Sequence, residues 1–276
     1  MITRALAALV VLGCGHALGL SPLAAQEAAP ASEPDSTFLL TSDDAARSPS
    51  PFIGNGHLGV VIPPLGIEGS LSLKAGLYDE APGDVPRIAA VPTWSAIGIF
   101  DGDHWLELKP PPDSSIRHYR QVIDMRTGTA RTTYEWVDGT RRTTVRIETI
   151  VSRADPRLAA IRLDLTPAAA GRMRVRFALS ERKPPPRLAL GTIERAQPDW
   201  GPVNLWYGGH MVVRTRNAAL EPGGGRVWVT STAEGRTTML AQVAAVGWPR
   251  DLPGASGGTR SEGDTAAVEV AFAAEP

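Results

Sequence analysis

Arg172-Met173-Arg174-Val175-Arg176-Phe177-Ala178-Leu179 sets Met173, Val175, Phe177 and Leu179 at every second position. Period two marks a strand with one buried face, because successive Cβ atoms point to opposite sides of a sheet. The arginines between them then face water or another sheet's polar surface. Outward from this segment, the same alternation groups Val145, Ile147, Thr149 and Val151, and again Ile161, Leu163 and Leu165. Half-buried strands of this kind belong to antiparallel sheets.

Turn chemistry separates the runs at Asp101-Gly102, Asp124 to Gly128, Asp138-Gly139 and Gly223-Gly224-Gly225. Asp138-Gly139 predicts a two-residue type I′ hairpin, with positive φ at both positions. The chain contains about fourteen strand-like segments, and many short strands with turns between them specify a sandwich or barrel. No helical period of 3.6 residues is sustained beyond the N-terminal region, which argues against parallel βαβ architecture. Pro110-Pro111-Pro112 and Pro184-Pro185-Pro186 read as stiff surface crossings, since proline gives no N–H to a ladder. No internal repeat of fixed period points to a propeller or solenoid.

A length of 276 residues with 43% hydrophobic content suits one large all-β domain. Lys plus Arg number 28 against 29 acidic residues, so no summed field draws the protein to nucleic acid or an anionic membrane surface. At the N-terminus, Arg4, the apolar run Ala5–Leu12 and the Ala24-Ala25-Gln26 stretch read as a secretory signal over residues 1–26, too short to span a bilayer. Export to the periplasm or outside the cell is the expectation. Val11-Leu12-Gly13-Cys14 is an imperfect lipoprotein box, and lipidation of Cys14 would tether the protein to a membrane. Cys14 is the single cysteine, which leaves the folded part without disulfide or thiolate ligand. Residues 27–36 are rich in Ala, Pro, Glu and Ser and read as a linker, with the fold spanning 37–276.

Catalytic signals are weak. Asp79-Glu80 with Asp84, and Asp101 with Asp103, sit in turn-like segments where aspartate commonly bonds its own backbone. His104, His118 and His210 lack a spacing that would put two imidazoles on one metal, so neither metal nor cofactor is expected. No Gly-x-Ser-x-Gly elbow is present, and Gly223–Gly225 lies between strands rather than before a helix. In Gly54-Asn55-Gly56-His57 the glycines are explained by backbone angles that other residues resist, and His57 reads as structural.

The ordered series Phe52-Ile53-Gly54-Asn55-Gly56-His57-Leu58-Gly59, Gly76-Leu77-Tyr78-Asp79, Ile123-Asp124-Met125-Arg126-Thr127-Gly128 and Trp136-Val137-Asp138-Gly139 resembles the N-terminal β-sandwich domain of glycoside hydrolase family 65. The branch is the one resembling protein-glucosylgalactosylhydroxylysine glucosidase. The N-terminal domain of family 95 fucosidases, with its Gly-Asn-Gly-x-Leu-Gly segment, is the nearest rival. The resemblance implies a large antiparallel super-sandwich of galactose mutarotase-like type. It also implies that the catalytic carboxylates belong to an (α/α)6 barrel absent from this chain, so this chain carries no catalytic residue. Its last strand is expected to be missing as well, which would leave an open sheet edge.

On that reading the chain is a non-catalytic N-terminal domain that packs on and shapes the barrel of an enzyme acting on O-glycosidic bonds. A stand-alone exported carbohydrate-binding module, or a non-functional remnant, is the alternative. Among seven tryptophans, Trp200 and Trp206, with Tyr207, lie in a loop-rich stretch and are the candidates for contact with a saccharide or with the barrel.

Overall fold

The computed structural model describes residues 8–13, 36–67, 71–80, 86–91, 93–106, 115–180, 212–220, 226–234, 239–248, 254–262 and 265–274. Three antiparallel sheets make up almost all of it. The largest has nine strands: β1 (Ala8–Gly13), β2 (Leu39–Ser42), β8 (Ile116–Asp124), β9 (Thr129–Asp138), β10 (Arg141–Val151), β11 (Ala159–Pro167), β13 (Val212–Leu220), β14 (Arg226–Glu234) and β15 (Met239–Gly247). Their order is β13-β14-β15-β1-β11-β10-β9-β8-β2. A second sheet, ordered β16-β17-β12-β7, contains β7 (Thr93–Phe100), β12 (Gly171–Ser180), β16 (Ser256–Glu262) and β17 (Thr265–Ala274). A third, β3-β4-β5-β6, contains β3 (Phe52–Gly54), β4 (Leu58–Val61), β5 (Ser72–Glu80) and β6 (Pro86–Val91). The helical structure among the described residues is two single 3₁₀ turns, Ser36–Phe38 and Ala45–Arg47.

The alternating patterns become the inner faces. Met173, Val175 and Phe177 of β12 are buried, as are Val145, Ile147, Thr149 and Val151 of β10 and Ile161, Leu163 and Leu165 of β11. One continuous cluster joins them to Ile97 and Ile99 of β7, Val270 and Phe272 of β17, and Val60 of β4. Among the described residues the sandwich therefore has a single core. Arg172 of β12 is exposed, but Arg174 and Arg176 are half-buried rather than simply solvated: both reach Glu269 of β17, at 3.2 and 3.3 Å. Their guanidiniums also stack on aromatic rings, Arg174 4.0 Å from the Phe100 centroid and Arg176 4.4 Å from that of Trp105.

The β9–β10 hairpin differs by one residue from the sequence expectation. Asp138 pairs with Arg141, so the two-residue loop is Gly139-Thr140, and Gly139 has φ +57° while Thr140 does not enter the positive region. Glycine with positive φ at the first central position alone suits a type II′ turn rather than type I′. The apolar N-terminal run, expected to form the core of a leader, forms β1 between β11 and β15. Both triple-proline stretches and Gly223–Gly225 lie outside the described residues.

One polar side chain fastens a loop to the core. Buried Gln121 donates through Nε2 to the carbonyls of Pro63 (3.1 Å) and Pro64 (3.2 Å) and to Thr132 Oγ1 (3.1 Å), while its Oε1 accepts from Ser48 Oγ (2.8 Å). Tyr119 adds a hydroxyl donated to Pro64 O at 2.8 Å. Burial pushes the Tyr119 phenol above its ordinary pKa, and the negative charge of Asp44 adds to this against a lowering hydrogen bond from Ser48. Gln121→Met keeps the volume but strips these partners. The expected cost is about 1–2 kcal/mol, read as a lower denaturant midpoint with an unchanged slope.

Candidate functional site

The segment after β3 is organised by Asn55. Its Oδ1 accepts the backbone N–H groups of His57 and Leu58, both at 2.8 Å, which folds the chain back from β3 into β4. Gly56 sits between them at φ +89°, a region that glycine occupies without the Cβ clash other residues meet. On the opposite side, Asn55 Nδ2 donates to the carbonyls of Ser152 and Pro156, the latter at 3.1 Å. One amide therefore joins the third sheet to the loop between β10 and β11. The His57 carbonyl accepts from Ala75 N at 2.7 Å, tying the turn to β5 as well. The His57 ring is exposed and is not part of this clamp.

Two glycines of the same segment carry an aromatic ring. Gly54 and Gly59 are register partners across β3 and β4, and the ring of Phe52 lies against both. A Cβ at Gly59 would come within 2.0 Å of Phe52 Cζ, so the ring rests directly on bare backbone. Yet Phe52 remains 55% exposed, and Tyr78 on β5 of the same sheet is 54% exposed. A flat, backbone-supported aromatic surface open to solvent is suited to packing or stacking.

The loop that Asn55 grips is closed by Asp155. Its carboxylate accepts from Arg157 N at 3.0 Å and from the Arg157 guanidinium, and its own N–H donates to Ser152 Oγ at 3.1 Å. The Arg157 side chain, then its backbone N–H, holds the Asp155 carboxyl below the usual carboxylate range. A carboxyl with a depressed folded pKa contributes stability above its unfolded value of about 3.9 and loses it as pH falls through the folded value. The protection of backbone amides in residues 152–158 against hydrogen exchange, taken relative to their intrinsic rates at each pH, should therefore fall on acidification below about pH 4, and Asp155→Asn should flatten that pH dependence. Asp124 behaves alike at the β8–β9 turn: slight desolvation raises its pKa, but the Thr127 hydroxyl and the N–H groups of Arg126 and Thr127 outweigh it and lower the value.

A second cluster lies at the β9–β10 hairpin. His104 Nδ1 is 2.6 Å from Asp138 Oδ2, and Asp101, His104 and Asp138 each bring a ligand-type atom within 4.8 Å of the others. Chain spacing does not announce this, because folding of two Asp-Gly turns against each other creates it. The groups already serve one another: Asp101 Oδ1 holds the N–H groups of Asp103 and His104, and Arg141 donates to Asp101 O at 2.6 Å and pairs with Asp103 at 3.1 Å. A guanidinium in place supplies the positive charge, so the cluster acts as a brace for the two turns.

Residues 46–219, more than half of the chain, match the profile described as glycosyl hydrolase family 65, N-terminal domain. The chain belongs to that family. Among solved structures, it is similar to a protein assigned as a kojibiose phosphorylase from the human microbiome, with a TM-score of 0.60 at 11% identity. The superposition covers 86% of this chain and 30% of that one, so this family 65 domain spans less than a third of its structural neighbour. At such identity the likeness establishes the fold. No curated protein matches the sequence.

Within the family 65 domain, Gly54, Asn55, Gly56 and His57 all lie in the clamped turn, next to exposed Phe52. His118 is exposed on β8 with φ +52°, far in sequence from that turn. Trp200, Trp206 and Tyr207, with His210 and Cys14, lie outside the described residues, as does Asp84. Phe52 and Tyr78 escaped sequence reasoning as surface residues, since an aromatic residue in a strand reads first as core. The glycines at 54 and 59 were the available signal, because they leave nothing for the ring to pack under.

Proposed function

We propose that this domain is a non-catalytic, exported support that packs on and shapes an (α/α)6 barrel in which the glycosidic chemistry takes place. The observation that carries the reading is the size relation: 86% of this chain superposes on only 30% of a protein assigned as a phosphorylase. Carboxyl chemistry agrees with it. Glycoside cleavage uses one carboxyl raised in pKa as acid and a second left ionised. Asp124 and Asp155 are held low by hydrogen bonds within their own turns, so neither has the character of the acid in such a pair. Exposed Phe52 and Tyr78, and around the β2 edge Phe38, Leu40 and Met125, supply apolar surface of the kind that interfaces between domains cover. Carbohydrate is the ligand of the assembled enzyme, and the apolar run near the N-terminus with Ala24-Ala25-Gln26 supports passage out of the cytoplasm.

The test is an assay of the purified chain against α-linked glucose disaccharides, kojibiose included, with and without inorganic phosphate. Neither glucose nor glucose 1-phosphate should appear. Turnover that survives purification and vanishes in Asp101→Asn or Asp138→Asn would overturn the reading. Saturable saccharide binding without turnover, lost in Trp206→Ala, would favour a stand-alone binding module instead. Phe52→Ala should cost the isolated chain no more than about 1–1.5 kcal/mol, because a ring that is 55% exposed has less than half of its surface to lose.

A further inference from the structure

Strand β1 is the one member of the nine-stranded sheet that comes from the N-terminal segment preceding residue 27, and it lies in the interior of the sheet rather than at an edge. It pairs antiparallel with β11 over Ala8↔Leu163 to Leu12↔Ala159, and with β15 over Leu9↔Gly247 to Gly13↔Val243. Among the described residues, no other strand joins the two flanks. β11 otherwise pairs with β10, and β15 with β14. Removing β1 would therefore divide the sheet into β13-β14-β15 and β11-β10-β9-β8-β2. The opened flanks are not surface-like: Ala159, Ile161, Leu163 and Val246 are fully or almost fully buried, and Val10 occupies the register position opposite both Ile161 and Val246.

The same six residues, Ala-Leu-Val-Val-Leu-Gly, sit where a secretory leader has its apolar core. A leader is cut away, whereas an interior strand cannot be lost without exposing two rows of backbone N–H and C=O groups and an apolar floor. Both facts hold together if the position is a socket. We propose that the gap between β11 and β15 is a strand-acceptor groove, filled in this chain by its own N-terminal segment. In the processed protein it takes an extended, uncharged, proline-free segment of about five residues from a partner polypeptide. Main-chain pairing on both sides gives affinity, and the buried row Ala159, Ile161, Leu163 sets the demand for apolar residues at alternate positions.

The experiment uses the full chain carrying a site-specific protease sequence inserted between residues 30 and 31, folded first and cut afterwards. The N-terminal fragment should co-elute with the body, and a labelled synthetic peptide of residues 5–13 should displace it. A peptide with proline in place of Val10 should bind at least about tenfold more weakly, since it lacks a ladder donor. Hydrogen exchange at residues 159–163 and 243–247 should be slow with either strand in place and at least about tenfold faster when the groove is emptied. In the uncut chain, Val10→Pro should produce the same local acceleration, and added wild-type peptide should reverse it. Loss of the fragment with no change in exchange at those two segments would overturn the proposal. So would dimerisation of the cut body with exchange still slow, which would show that a second copy closes the gap. If Val10→Pro does not fold, the cut chain alone decides.

Discussion

Asn55→Asp is expected to lower the unfolding midpoint by about 6–12 °C, although it exchanges one amide for one carboxylate of the same shape. The amide nitrogen is the reason. Asn55 Nδ2 donates to the carbonyls of Ser152 and Pro156, and aspartate would present a charged oxygen to both acceptors. The opposite edge would survive, since a carboxylate can still accept from His57 N and Leu58 N. Losing both donor contacts and placing like partial charges together in a half-buried site costs about 3 kcal/mol. Asn55→Ala, which removes both edges but adds no charge, should also be destabilising, and Asn55→Asp being the worse of the two would show that the repulsion outweighs the acceptor edge that aspartate keeps. The Asp variant should recover part of its loss at low pH, where the new carboxyl takes up a proton and can donate again. A midpoint within about 2 °C of wild type for Asn55→Asp at neutral pH would mean that the clamp does not hold the β10–β11 loop in solution.

Phe177→Ala should cost about 3–5 kcal/mol, the range for removing a large buried ring from a core that cannot collapse around the void. Phe177 lies in β12 between β17 and β7, opposite Val268 and Ile97, and belongs to the continuous cluster that both large sheets share. Arg172→Ala, five residues back on the same strand and exposed, should stay within about 0.5 kcal/mol. Equilibrium urea unfolding of the two variants measures both. Near-equal losses would mean that β12 is not seated with its apolar face inward.

Sheet class and facing were readable from residues 172–179, 145–151 and 161–165, because period two is imposed by the backbone and the buried face leaves no freedom of register. Positions fixed by local chemistry were readable to about one residue: the β9–β10 turn was located through Gly139, but its central pair is Gly139-Thr140. Contacts made by distant turns were not readable. His104 meets Asp138 across a gap of 34 residues, and Asn55 reaches Ser152 and Pro156 across roughly a hundred, with no periodic signal to link them. Arg174 and Arg176 of β12 show an intermediate case. Alternation placed them on the outer face, yet not their stacking on Phe100 and Trp105, which depends on how β7 lies beside β12.

The nine-stranded sheet also sets a clock. Val10 finds Ile161 and Val246 as neighbours, so completing the sheet closes loops of about 150 and 235 residues, and non-local pairing of this kind slows folding into the millisecond-to-second range or beyond. During synthesis at about 5–20 residues per second, the β15 flank does not exist until tens of seconds after β1 has emerged. Until then the first-made segment has no finished position to enter. Late closure leaves the inner flank of β11 without its neighbour for as long as the C-terminal strands are being made.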